Sequence, residues 1–291
     1  MFWRSVAGLL LILSLGSGCS VKFAYNNLDR FVRWGVSDYV QLTPEQREYF
    51  DAEFARLHQW HRQTQLPVYA EFLESVPRTL ADGTDAAELL AMEHTVQGWA
   101  EVMLEKGLPM TAHILRSMTD EQVADLPARL EASNADIADP ERHGDLQRSQ
   151  EQWADEVADT FKRFAGRMTS AQRDYLAARA VGYIPELQMW AEYRVRWQAD
   201  LLALLHRRHE DAEFDERFFA LARNREHYYG TELAAVFAHN ENLSREVARW
   251  LLNHLSPEQQ RRMEDRLLEW AEDLRELSDQ PSLRDSACVD C

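Results

Sequence analysis

Residues 42–62 read LTPEQREYFDAEFARLHQWHR, and this stretch decides the fold. Thr43 is suited to accept a hydrogen bond from the backbone three residues on. Gln46 stands where its side chain can reach back, and Pro44 occupies the first turn, which tolerates a missing N–H. Phe50, Phe54, Leu57 and His61 then recur at helical spacing with charged residues between them, so one face is apolar and the other is solvated. The stretch is therefore expected to be an amphipathic helix.

The same local pattern returns at Met118-Thr119-Asp120-Glu121-Gln122, Met168-Thr169-Ser170-Ala171-Gln172 and Leu255-Ser256-Pro257-Glu258-Gln259. After Ser256, the residues Met263, Leu267, Trp270, Leu274 and Leu277 again keep helical spacing. Further helical stretches are expected near 26–39, 84–106, 145–167, 170–209, 213–226 and 231–253, with breaks or kinks at Pro67, Pro109, Pro185 and Asp139-Pro140. Alternating Val/Ile/Thr runs that would announce strands are missing. The expected fold is all-α, a multi-helix bundle of amphipathic helices. The unequal spacing of the four starts argues against a regular solenoid. Asn134 to Gly144 is the best linker candidate, yet the pattern is alike on both sides, so a single helical domain over 26–278 is expected, with a mobile tail over 279–291.

The N-terminus has a different character. Arg4 precedes the apolar run Val6 to Leu15, and Gly16-Ser17-Gly18 leads to Cys19. This charged, apolar, small order is that of a secretion signal over residues 1–18, too short and too small-ended for a retained spanning helix. Small residues directly before a cysteine resemble the lipobox of bacterial lipoproteins, in which the cysteine carries diacylglycerol and becomes the new N-terminus. The resemblance implies lipid attachment at Cys19, with residues 19–25 as a lipidated N-terminus and short tether. Gly16 stands where that family usually has Leu. Ordinary cleavage after Gly18, releasing a soluble protein with a free Cys19 thiol, is the competing reading. Ser20 after the cysteine implies, by the same resemblance, sorting to the outer membrane, and the domain is separately expected to face the periplasm.

Three cysteines leave an odd one in an oxidising compartment. Acylating Cys19 leaves Cys288 and Cys291, which could pair as a disulfide. Without Arg4 the chain keeps 31 basic residues against 49 acidic ones, a net charge of −18, which argues against binding to nucleic acid or to anionic lipid through a basic patch, so the acyl chains rather than charge are expected to hold it at a membrane.

The four Leu/Met-Thr/Ser-x-x-Gln segments also resemble the Leu-Thr-x-x-Gln motif of Spy-like periplasmic helical proteins, an ATP-independent chaperone and its stress-response relative. Capping boxes arise independently wherever helices begin, so four independent helix starts are the expected reading of the segments. A broader resemblance rests on the lipobox, Tyr25-Asn26-Asn27-Leu28-Asp29, Trp34, Asp38-Tyr39, Trp60-His61-Arg62 and Leu66-Pro67-Val68-Tyr69. These look like an uncharacterised family of proteobacterial lipoproteins classed as a domain of unknown function. It implies a helical envelope lipoprotein and supplies no catalytic residues. Tyr and Trp near Cys19 are read either as core packing or as residues seated at the lipid interface.

For chemistry, His58 and His61 lie three apart, as do His206 and His209, and such pairs share a helix face that could ligate a metal. The alternative reading is that Trp60-His61-Arg62 packs and hydrogen-bonds at a helix–helix seam. Phosphate loops, a nucleophile elbow and a zinc-protease helix do not occur in the sequence. The expectation is a non-enzymatic, membrane-anchored protein without a cofactor beyond the lipid at Cys19, which binds a partner protein of the envelope in an assembly or chaperone-like role. A metal protein or enzyme using His58, His61, His206 and His209 is the rival.

Overall fold

Each of the four Thr or Ser caps begins a helix in the computed structural model, which describes residues 18–139 and 145–280, with side chains from Lys22 onward. In chain order the helices are α1 (Gly18–Asn26), α2 (Leu28–Ser37), α3 (Pro44–Thr64), α4 (Leu66–Thr79), α5 (Ala86–Arg116) and α6 (Asp120–Ala138). There follow α7 (Leu146–Ala165), α8 (Ser170–Ala180), α9 (Leu187–Leu205), α10 (Phe214–Arg223), a 3-10 turn (Arg225–Tyr228), α11 (Gly230–Asn253) and α12 (Pro257–Asp279). The described residues contain no strand, so the fold is all-α.

All four motifs form complete capping boxes. Gln46 N donates to Thr43 Oγ1 at 3.3 Å while Thr43 N donates to Gln46 Oε1 at 2.9 Å, and the same reciprocal pair recurs at Thr119/Gln122, Thr169/Gln172 and Ser256/Gln259. They also meet in pairs across the chain. Gln46 Nε2 crosses to Ser117 O at 2.8 Å, Gln122 Nε2 crosses to Gln41 O at 2.6 Å, and the two amides meet each other at 2.8–3.0 Å. The second pair repeats this arrangement. Gln172 Nε2 donates to His254 O at 2.9 Å, Gln259 Nε2 to Arg167 O at 2.8 Å, and the amides again meet at 2.9–3.0 Å. Each glutamine thus caps its own helix and ties down the chain two residues before the other cap. Partners in a clasp are 76 residues apart in the first half of the chain and 87 in the second.

Packing between the halves is reciprocal in the same sense. The closing helix of the second half, α12, lies along α4 of the first, and the closing helix of the first half, α6, lies along α9 of the second. Leu66, Tyr69 and Ala70 of α4 meet Ala271, Leu274 and Leu277 of α12. Val123, Leu126 and Leu130 of α6 join Leu201, Leu204 and Leu205 of α9, together with Phe214 and Phe218 of α10. A third cluster binds Trp153 and Val157 of α7 to Leu176 of α8 and to Leu243, Val247 and Leu251 of α11. Burying these side chains contributes roughly 1.5–3 kcal/mol each against leaving them in water.

Several boundaries differ from the sequence reading. The expected helix 84–106 continues through Pro109 to Arg116, because flanking contacts of Leu108 and Ala112 hold the turn although proline removes one hydrogen bond. The expected helical stretch over 170–209 divides into α8 and α9 at the break expected at Pro185. Gly182 and Pro185 lie in the gap, and Asn240 of α11 clamps it by bonding both the N–H and the C=O of Ile184. The proposed linker starts later than Asn134, which is buried in α6 and hydrogen-bonded to Gln198 and Arg194 of α9. The expected tether over 19–25 is helical instead. Pro140 to Gly144, the signal residues before Gly18, and Cys288 and Cys291 lie outside the described residues.

Candidate functional site

The end of the fold that carries Cys19 is built from α1, α2, α3 and α12. Cys19 belongs to α1, although its side chain lies outside the described residues. From Lys22 onward α1 is fixed to the body. Lys22 Nζ pairs with Asp273 Oδ1 at 2.8 Å and also with Glu276, both on α12, and these carboxylates hold the ammonium protonated well above the usual lysine range. Asn26 Nδ2 donates to Gln280 Oε1 at 3.2 Å.

Tyr25 is 1% exposed and rests on α3. Its hydroxyl shares a hydrogen bond of 2.9 Å with His61 Nδ1, and His58 Nε2–H donates to the Tyr25 carbonyl at 3.2 Å. Burial raises the phenol's pKa, and it lowers those of both imidazoles, His61 to about 4 with further repulsion from His58 and Arg62. Beside them Arg62 is also 1% exposed, and among the described residues no carboxylate pairs with it. Its guanidinium donates to Leu277 O at 2.9 Å, to Asn26 Oδ1 at 2.8 Å and to Gln280 Oε1 at 3.3 Å, and it lies 5.2 Å from the Tyr25 ring centre. A buried arginine whose terminal nitrogens donate to neutral oxygens, while its Nε meets none, spans α1, α3 and the end of α12 and ties the first and last helices together.

Outside this seam the surface is apolar. Phe23 is 64% exposed, Phe31 49% and Trp34 70%, and α2 buries none of its residues. Arg33 of α2 pairs with Asp29 at 2.6 Å and with Asp51 of α3 at 3.3 Å. Under these ion pairs a groove of about 600 Å³ runs between α2 and α3, lined in part by Asn26, Phe54, His58 and Trp60.

The histidine pairs have separate situations. His58 and His61 hold Tyr25, as the seam reading expects. His206 caps the C-terminus of α9, and His209 follows it in an exposed turn. Among the described residues no group of three or more His, Cys, Asp or Glu side chains is placed to hold a metal ion. Between His206 and His209 the chain turns Arg208 inward. It is 4% exposed, donates to Met118 O at 2.8 Å and to Leu205 O at 3.1 Å, and pairs with Asp120 beside the first clasp. The hydrophobic pattern had no signal for this arginine, because Met118 O and Asp120 are brought to it from another part of the chain. Glu93 was missed likewise. It is 3% exposed, and Arg245 of α11 lies 3.1 Å from its carboxylate.

A family model described as a family of unknown function (DUF6279) matches residues 38–234. The matched segment begins just after α2 and ends in α11, so it holds the whole first clasp and one side of the second. No curated protein and no solved structure matches the chain. No helix among the described residues is long and apolar enough to cross a membrane.

Proposed function

The chain belongs to DUF6279, a family of unknown function, and from that premise we propose that it is a lipid-anchored protein of the bacterial outer membrane, facing the periplasm and held by acyl chains on Cys19. It acts by binding another envelope component, in assembly or chaperoning, and not by catalysis. One observation carries this reading: the helix containing Cys19 is fastened by Lys22, Tyr25 and Asn26 directly to the body. Acyl chains at that position would hold the whole domain at the bilayer with no slack. A metal-dependent role for His58, His61, His206 and His209 has less support, since the first pair is committed to Tyr25 and the four form no cluster. Partner contact would use apolar side chains that the packing leaves uncovered, among them Val68, Val102, Leu146, Val181 and Val195.

The test is intact-mass analysis of protein taken from membranes of the native host, beside a Cys19→Ala version, with fractionation. A lipid adduct lost in the variant together with membrane release supports the anchor, and an unmodified, soluble chain overturns it. Crosslinking in intact cells addresses binding. A reproducible protein adduct supports it, whereas no adduct and no effect on a model client's aggregation would end it.

A further inference from the structure

The surface beside Cys19 differs from the rest of the molecule in residue type, in exposure and in charge. Phe23 lies one helical turn after Cys19 along α1. The chain passes into α2 through the single residue Asn27, whose side-chain amide donates to Phe23 O at 2.8 Å and keeps the two helices coupled. Phe31 and Trp34 follow two and three turns beyond Phe23, and Trp34 is the most exposed large apolar side chain among the described residues. In a protein of net charge −17, residues 18–37 hold one acid, Asp29, against Lys22, Arg30 and Arg33. Lys22 and Arg33 are engaged within the protein, while Arg30 is exposed on α2.

We propose that Phe23, Phe31 and Trp34, with Arg30, form an interfacial seat that lies in the headgroup region of the bilayer and fixes how the body stands on the membrane. The proposal rests on acylation of Cys19 as read above. Acyl chains supply attachment but leave the protein free to pivot, whereas aromatic side chains prefer the depth between headgroups and hydrocarbon. With Cys19 one turn from Phe23, the acyl chains and the aromatic side chains must enter the same few ångströms of membrane. Anionic headgroups complement Arg30, and the scarcity of acid in this segment removes the repulsion that the remaining surface would meet. Tyr25, His61, Arg62 and the Lys22 ion pairs then act as the mount, transmitting the orientation of α1 to α3 and α12.

The experiment uses the mature protein from native membranes, reconstituted in vesicles of phosphatidylethanolamine and phosphatidylglycerol, with and without bromine-labelled acyl chains. Mass analysis of the same sample reports acylation. The mature chain keeps every tryptophan except Trp3 of the 9 in the sequence, so Trp34 is isolated by difference with Trp34→Phe, which keeps the surface apolar. The expected result is tryptophan quenching by lipid brominated near the headgroup that falls at least twofold in Trp34→Phe. Moving the probe to α9 with Val195→Trp in that background, where Val195 is 53% exposed, restores no quenching. With acylation confirmed, equal quenching in wild type and Trp34→Phe overturns the seat, leaves the anchor standing and assigns this face to a protein partner. Quenching restored by Val195→Trp also overturns it, since the protein then has no fixed orientation. An unmodified Cys19 in the mass spectrum overturns the anchor, and the seat falls with it.

Discussion

The two glutamine clasps use the same residues and the same bonds, yet they occupy different surroundings. In the second, Gln172 is 1% exposed and Gln259 5%, and the amides meet out of reach of water. In the first, Gln46 is 5% exposed but Gln122 is half-exposed, and the buried Arg208 comes from the other half to bond Met118 O. A hydrogen bond deleted where water can replace it costs little, and one deleted in a dry seam leaves groups unpaired. The same motif should therefore be structural ballast in one half and a point of failure in the other.

The largest test of this difference is Gln172→Ala. It strands the His254 carbonyl and the Thr169 N–H, removes the partner amide of Gln259, and should lower unfolding free energy by about 3 kcal/mol in a urea titration. A cycle with Gln259→Ala should show the pair coupled by about 1–2 kcal/mol. Losses no greater than those of an exposed cap would erase the contrast.

Acid should strike the first half instead. His61 is held neutral with its pKa lowered to about 4, against an ordinary 6.5. The unfolded chain therefore takes up its proton first, so the contribution is complete above pH 6.5 and is lost as pH falls from 6.5 toward 4. The loss amounts to about 3 kcal/mol. Hydrogen exchange should show α1 and α3 loosening in that window while α8 and α11 stay protected, and His61→Gln should flatten the profile. Acid sensitivity unchanged in that variant would place its origin elsewhere. The smallest effect belongs to Gln122→Ala, about 1 kcal/mol by the same titration, because solvent can reach the Gln41 and Thr119 groups it leaves. A loss equal to that of Gln172→Ala would mean that the first clasp is sealed in solution.

The site was legible only in part. Trp60-His61-Arg62 could be read as a seam because three large polar or aromatic residues on one turn of an amphipathic helix need partners, and Tyr25 and Leu277 O supply them. Exposure of Phe23, Phe31 and Trp34 was not legible, since an aromatic at helical spacing has the same pattern whether it faces a core or a membrane. Both α2 and α3 carry aromatic residues at helical spacing, and only the tertiary structure shows that α2 buries none of its residues.

By itself the sequence determined what is local. Thr or Ser followed three residues later by Gln starts a helix wherever it occurs, and apolar spacing selects the face to be buried, so the four starts and the all-α class follow from hydrogen bonds within a few residues. Tertiary structure decided which starts are partners, that α12 closes on α4 and α6 on α9, and that Arg62 and Arg208 are buried on backbone oxygens. The reason is that a glutamine amide has a second set of bonds to make after capping its own helix. What it meets depends on chain 76 or 87 residues away, to which no periodicity in the sequence refers.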